Sequence, residues 1–340
     1  MPVRVAIVGV TGYAGGELAR ILLRHPEARL VAAVARSHQG EPLRDVQPHL
    51  HGAPASLCIG SDVADAEVVF TALPAGEAAR QAKGWLAEGR AIIDIGSDFR
   101  LRDPKDYERW YGYTHPAPEL LADAVYGLTE LTRAKLRGAR VVANPGCYPA
   151  ASLLALAPAL RAGLIEDDVI VDAKSGVSGA GHTVEEAFLY GTIDESVRPY
   201  GVPGHRHTPE IAQEAAALAG RAPRLTFTPH LVPMTRGLLA SCYATLRPGV
   251  TAAQVADAYR SAYADEPFVR VTVSYPATKA VLGSNWCLVH PVVDERTGRL
   301  VAFGAIDNLV KGAAGSAVQN LNAMRGLPET MGLESLPLWP

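Results

Sequence analysis

Residues 3–22 read VRVAIVGVTGYAGGELARIL, and the fold follows from how this stretch changes character along its length. Val3 to Val8 is a short apolar, β-branched run of the kind that forms a strand buried on both faces. From Glu17 to Leu23 the apolar positions recur at helical spacing. Between the two runs Gly9, Gly12 and Gly15 stand three apart, interleaved with Thr11, Tyr13 and Ala14. Glycines so placed permit a tight turn and a close backbone approach, and amides at a helix N-terminus can face a pyrophosphate. Strand, glycine turn and helix in this order are the context a dinucleotide-binding site requires, here in a variant of the G-x-G-x-x-G spacing. The stretch therefore marks Gly9, Thr11, Gly12, Tyr13, Ala14 and Gly15 as cofactor-binding residues.

Downstream the same alternation continues. RLVAAVAR (29–36), AEVVFTALP (66–74) and AIIDIG (91–96) read as strands, and EAARQAKGWLAEG (77–89) as a helix. Residues 97–138 look irregular, with short helical pieces, before RVVAN (140–144) supplies a further strand and Pro149 to Arg161 a helix. Short apolar strands alternating with helices predict an α/β Rossmann-type domain with a parallel sheet. Past Leu164 the texture changes: DVIVDAKS, RLTFTP, LLASCYATLR, FVRVTVS, NWCLVHPVVD and LVAFGAIDN outnumber the helical segments and often succeed one another directly. Successive strands predict an α+β second domain with a mainly antiparallel sheet. The expected boundaries are 1–147 for the dinucleotide-binding domain, completed by a C-terminal helix over 309–340, and 148–308 for the second domain.

The end of the second strand bears on the choice of nicotinamide cofactor. An NAD site offers a carboxylate there for the ribose hydroxyls, whereas this chain has Arg36 and Ser37. A guanidinium and a hydroxyl suit a 2′-phosphate, so NADP(H) is the expected cofactor; the plainer alternative is a solvated surface arginine.

Composition narrows the partners. The 340 residues are 48% apolar and 20% charged with a formal net charge of −3, and no long run of like charge suggests nucleic acid or an anionic membrane as partner. The opening apolar run is too short for a membrane span or signal peptide, so a cytoplasmic location is expected. Four scattered cysteines, Cys58, Cys147, Cys242 and Cys287, show neither zinc-site spacing nor a disulfide framework, and no metal is expected.

Cys147 has a distinctive setting: it follows the strand RVVAN and precedes a helix for which Pro149 is a good first-turn residue. A thiolate at a helix N-terminus is stabilised by the dipole and the amides there. The other three cysteines lie in apolar runs and are better explained by packing. A thiolate that attacks acyl groups needs an acid/base partner, and the segment GHRHTPEI places His205, Arg206, His207 and Glu210 in a polar turn before a helix that Thr208 could cap, with Pro209 at its first position.

VGVTGYAGGEL, DIGSDFRL, ANPGCYP, KSGVSGAG, GHRHTPEI, PHLVPMTRGLL and AIDNLVKGAAGSAVQNLN, in this order, resemble the N-acetyl-γ-glutamyl-phosphate reductase family of arginine biosynthesis, which is related to aspartate-semialdehyde dehydrogenase. The resemblance spans nearly the whole chain; one departure is Ala150, where the family usually has Thr. It implies that Cys147 is the nucleophile on a small-molecule acyl phosphate, that His207 is the acid/base, and that NADPH reduces the resulting thioester to N-acetyl-glutamate 5-semialdehyde. It further implies that Ser178, Gly179 and Asn308 contact the cofactor, that Asn144, His205, Arg206 and Glu210 serve the substrate or the base, and that residues 148–308 form the catalytic and dimerisation domain of a homodimer or homotetramer. Arg100 is the candidate for the substrate phosphate, because a guanidinium can bind phosphate bidentately, although an ion pair with Asp98 or Asp103 remains an alternative. Three rivals remain. The carrier-linked aminoadipyl-phosphate reductases of lysine biosynthesis resemble GCNAT where this chain has GCYPA, aspartate-semialdehyde dehydrogenase has a different histidine motif, and a non-catalytic NADP-binding sensor would have no need of the cysteine and histidine.

Overall fold

A computed structural model describes residues 1–182 and 185–339. Two compact units result: Met1–Gly146 with Ala313–Ser335, and Cys147–Gly312 with Leu336–Pro340.

In the first unit seven strands form one sheet in the order Ile59–Gly60, Ala28–Val34, Val3–Val8, Val68–Thr71, Ala91–Asp94, Val141–Ala143, Val125–Tyr126. Every pairing is parallel. The continuous apolar character of the first strand is accounted for by its central place, with Val5, Ala6 and Ile7 fully buried. Strand order reverses beside Val3–Val8, which pairs with Ala28–Val34 on one side and Val68–Thr71 on the other. Ligands of such sheets bind outside the carboxyl ends of the strands at this switch point, and Gly9 is the first residue past it. The stretch 97–138, read as irregular, holds two eight-residue helices, Pro104–Tyr111 and Thr129–Leu136, and the short edge strand Val125–Tyr126. Asp103 caps the former by accepting the Lys105 N–H.

The second unit has a mixed, mostly antiparallel seven-stranded sheet in the order Val269–Val271, Cys287–Asp294, Arg299–Ile306, Leu238–Leu246, Ile165–Ser175, Arg224–Leu231, Arg198–Pro199. Along Ile165–Ser175 burial alternates, with Val169, Val171 and Ala173 buried and Ile170, Asp172 and Lys174 half-buried. The helix Cys147–Arg161 packs on this sheet so closely that a Cβ at Gly304 would lie 2.4 Å from the Ala151 carbonyl oxygen.

The C-terminal helix is shorter than the 309–340 expected. It runs over Gly315–Arg325 after a π-helical turn at Val310–Ala314, and ends where Gly326 takes a left-handed φ of 69°. Pro340, the last residue of that expected segment, lies outside the described residues. Polar side chains of this helix are buried yet bonded: Asn320 Nδ2 donates to Asn144 Oδ1 (3.0 Å) and to the Gly127 carbonyl (2.8 Å), and its Oδ1 accepts from Thr129 Oγ1 (2.9 Å). Asn322 Oδ1 meets His25 Nε2 at 2.9 Å. Such networks stabilise only when each member is satisfied.

Candidate active site

At the glycine turn the three glycines differ in what fixes them. Gly9, with φ +97°, would put a Cβ 2.3 Å from the Ala72 carbonyl oxygen, and Gly15 would put one 2.2 Å from the Gly9 carbonyl oxygen. Both are required by packing within the unit. A Cβ at Gly12 would meet only the Gly9 carbonyl oxygen, at 3.7 Å. Packing does not explain that glycine, and the space it leaves lies at the helix N-terminus, where backbone amides can meet a ligand. The helix Tyr13–Leu22 has no side-chain cap and no acid in its first turn, so its N-terminal partial charge suits a pyrophosphate. Thr11 and Ala14 are half-buried and Tyr13 is exposed. Gln47, which sequence reading passed over, locks the turn by donating from Nε2 to the Val10 carbonyl at 3.0 Å. Arg36 is exposed and pairs with Glu77 at 2.5 Å, and Ser37 is exposed beside it in sequence.

Around Arg100 the first unit is densely bonded. Asp94, fully buried, accepts from Thr71 Oγ1 and from the Gly96 and Asp98 amides. Burial, with the neighbouring Asp98 charge, pushes its carboxyl up to about 7. Asp98 accepts from the Gly76 and Ala79 amides and caps the helix Glu77–Ala87. Arg100 Nε donates to the Asn144 carbonyl (2.9 Å) and its second terminal nitrogen to the Ile95 carbonyl (2.8 Å), so these donors grip backbone. Asn144 donates from Nδ2 to the Ala313 carbonyl at 3.1 Å, a structural engagement for a residue expected at the substrate.

Cys147 opens the helix Cys147–Arg161. Residues 141–160 are buried at every position but one, and the exception is Cys147. Cys242 and Cys287 are fully buried, and Cys242 donates weakly to the Ser152 carbonyl. Burial raises the Cys242 thiol, which makes it inert. Cys58, expected to be packed, is exposed, two residues past a surface turn at 55–56 and bridged to Pro42.

The histidine pair belongs to an aromatic cluster in the same unit. His205 and His207 ring centroids are 5.0 Å apart, and Tyr148, next to Cys147, lies 5.7 Å from the first and 5.8 Å from the second. Tyr200 and Phe227 close the cluster around His205 at 5.3 and 5.2 Å. The Tyr200 hydroxyl donates to that of Tyr148 (3.1 Å), which donates to the His230 carbonyl (3.2 Å). Burial raises both phenols, Tyr200 to about 12. The helix starts at His207, earlier than expected, with Arg206 as its cap residue and no side-chain cap bond. Thr208 therefore does not cap it, and its hydroxyl is buried without a partner among the described residues. The acceptor comes instead from His205, whose Nδ1 takes the His207 amide. Desolvation, helped by the Arg206 charge, lowers His205 to about 4 and keeps it neutral. Arg206 is exposed, and Glu210 is fully buried in the first turn.

Ser178 and Asn308, far apart in sequence, meet directly: Asn308 Nδ2 donates to Ser178 Oγ at 2.9 Å and its Oδ1 accepts the Gly237 amide at 2.8 Å. A Cβ at Gly179 would lie 3.9 Å from the same Nδ2. No group of three or more His, Cys, Asp or Glu among the described residues is arranged to hold a metal ion, and no helix among them is long and apolar enough to cross a membrane.

A parallel nucleotide-type sheet with a half-open helix-initial thiol, and a second unit carrying paired histidines, define a semialdehyde dehydrogenase. The family model for the semialdehyde dehydrogenase NAD binding domain matches residues 4–139, and that for the semialdehyde dehydrogenase dimerisation domain matches 147–308. Within that class the chain belongs to the N-acetyl-γ-glutamyl-phosphate reductase family. It is 49% identical to the N-acetyl-gamma-glutamyl-phosphate reductase of Heliobacterium modesticaldum over 99% of this chain and 100% of the relative. With that of Symbiobacterium thermophilum it shares 51% over 100% of both. Among solved structures it is similar in fold to aspartate semialdehyde dehydrogenase II from Vibrio cholerae, with a TM-score of 0.72 at 19% identity, covering 95% of this chain and 98% of that one. The aspartate semialdehyde dehydrogenase with NADP from Candida albicans gives 0.70 at 15%, with the same coverages. The protein binds a nicotinamide dinucleotide.

Proposed function

We propose that the chain is a cytoplasmic homo-oligomer, a dimer or tetramer, that reduces N-acetyl-γ-glutamyl phosphate with NADPH to N-acetyl-glutamate 5-semialdehyde and inorganic phosphate, in arginine biosynthesis. The observation that carries the reading is the exposure pattern of residues 141–160, in which the Cys147 position alone is open to a reactant. The names of the full-length relatives support the substrate, and GCYPA at the nucleophile supports it over the carrier-linked lysine-pathway substrate.

Gly9, Thr11, Gly12, Tyr13, Ala14 and Gly15 hold the pyrophosphate, Arg36 and Ser37 the 2′-phosphate, and Ser178, Gly179 and Asn308 the nicotinamide end. For Arg36 this means exchanging the Glu77 carboxylate for the phosphate. The Cys147 thiolate attacks the acyl carbon, the bond from that carbon to the phosphate oxygen breaks, and inorganic phosphate leaves with the electron pair. Arg100 steadies the phosphate from a buried anchorage, and Asn144 holds the backbone just before the nucleophile. The dinucleotide, when bound, supplies the hydride that takes the thioester to the aldehyde level. The carbon–sulfur bond then breaks, the aldehyde leaves, and the thiolate returns. His207 takes the thiol proton at the outset and gives a proton to the departing group, while neutral His205 fixes the helix start that carries it. Arg206 and Glu210 orient substrate and base from the same turn.

The test is an NADP-linked assay run in reverse with phosphate and N-acetyl-glutamate semialdehyde. Turnover is expected; no turnover with this aldehyde, together with turnover of aspartate semialdehyde, overturns the assignment.

A further inference from the structure

We propose that Gly312 is a positioning residue for Cys147, and that the π turn at Val310–Ala314 exists to bring a residue without a side chain against the nucleophile. The inference rests on the reading of Cys147 as that nucleophile. A Cβ built at Gly312 would lie 2.7 Å from the Cys147 Cβ, 3.2 Å from its Cα and 3.3 Å from Ile306 Cδ1. Gly312 does not take a left-handed φ, so its backbone conformation would accept alanine; the space would not. The atom in the way is no flexible side-chain end but the Cβ that carries the sulfur, so the thiol or the turn must shift.

The turn is held where it is. Gly312 N–H donates to the Asp307 carbonyl at 3.0 Å, a bond across five residues that marks the π register. The Asp307 carboxylate, fully buried, accepts from the Leu309 amide (2.8 Å), the Val310 amide (3.3 Å) and the Gly283 amide (2.8 Å). Lys311 is fully buried with Nζ 5.7 Å from the Phe268 ring centroid. On the other side, the helix that Cys147 opens is buried from Tyr148 to Leu160. Two rigid segments therefore meet at one Cβ, and its position sets the arc on which Sγ can lie. Misplacing a reacting atom by about 1 Å can cost on the order of a hundredfold in rate.

The experiment is Gly312→Ala in the full chain. Expected are a kcat lower by about a hundredfold, a dinucleotide Kd within about threefold of wild type, and an altered pH profile for alkylation of Cys147 by iodoacetamide. A kcat within threefold together with an unchanged alkylation profile overturns the proposal. The double variant Cys147→Gly with Gly312→Ala removes the clashing atom: recovery of the denaturation midpoint lost in Gly312→Ala supports the contact. If both variants fail to fold, Gly312 answers to something other than Cys147 and the proposal falls. Failure of the underlying reading is separately visible, since Cys147→Ser would then retain turnover.

Discussion

His205 Nδ1 accepts the backbone N–H of His207 at 3.0 Å, so one histidine of the pair fixes the helix start that carries the other. Its imidazole ordinarily titrates at 6.5 and is lowered to about 4 in the fold. Between those values the unfolded chain binds more protons, so this group's contribution to stability is lost as pH falls from about 6.5 towards 4. His25, also lowered by burial, acts in the same direction; Asp94, raised to about 7, opposes both. His205→Asn keeps an acceptor and removes the titration. Relative to the wild type, the urea midpoint of the Asn variant should therefore shift upward as pH falls from about 7 to about 4.5, with kcat within about tenfold, whereas His205→Leu loses both acceptor and activity. An unchanged pH dependence in the Asn variant would count against the assigned burial.

Cys147→Ser exchanges the thiol of the proposed nucleophile for a hydroxyl, a far weaker nucleophile near neutral pH. Reduction of the acyl phosphate should fall by about a thousandfold or more, while dinucleotide affinity, read by fluorescence quenching, changes less than twofold. Retained turnover would place the nucleophile elsewhere.

Gly12 and Gly15 should separate binding from folding. Gly15→Ala drives a Cβ into the Gly9 carbonyl and should cost about 2 kcal/mol of stability, read by chemical denaturation. Gly12→Ala finds room, so its denaturation midpoint should match the wild type while dinucleotide Kd rises at least about tenfold. Equal stability losses in the two variants would contradict the assignment of Gly12 to the ligand.

Arg36→Ala tests the cofactor preference. With Arg36 paired to Glu77 at the surface, its loss should leave stability within about 0.5 kcal/mol. KM for NADPH should rise roughly tenfold, about 1.4 kcal/mol, with KM for NADH little changed. Parallel changes for both cofactors would remove the 2′-phosphate role.

Local sequence carried the architecture because its determinants are local. The parallel half is legible in Val3–Val8 and the glycine turn, and the second half in strands that follow one another. Cys147 could be picked out because helix initiation is a near-neighbour property. What escaped depends on contacts between distant residues: Gln47 on the Val10 carbonyl, Asn320 on Asn144 at 176 positions' separation, and Gly312 against Cys147. No periodicity marks such pairs. Thr208 does not cap the helix for a related reason: a ring nitrogen of His205 fills the role that a hydroxyl usually takes.

The late return of the chain to its first unit has a consequence for biosynthesis. Asn144 Oδ1 and the Gly127 carbonyl wait for one donor, the Asn320 amide, and His25 waits for Asn322. A ribosome must therefore translate past Asn322 before the first-made half can close its polar core. Nascent chains halted after the second unit carry a nucleotide fold whose last helix is still missing, and that half-made species is the one a chaperone would need to shelter.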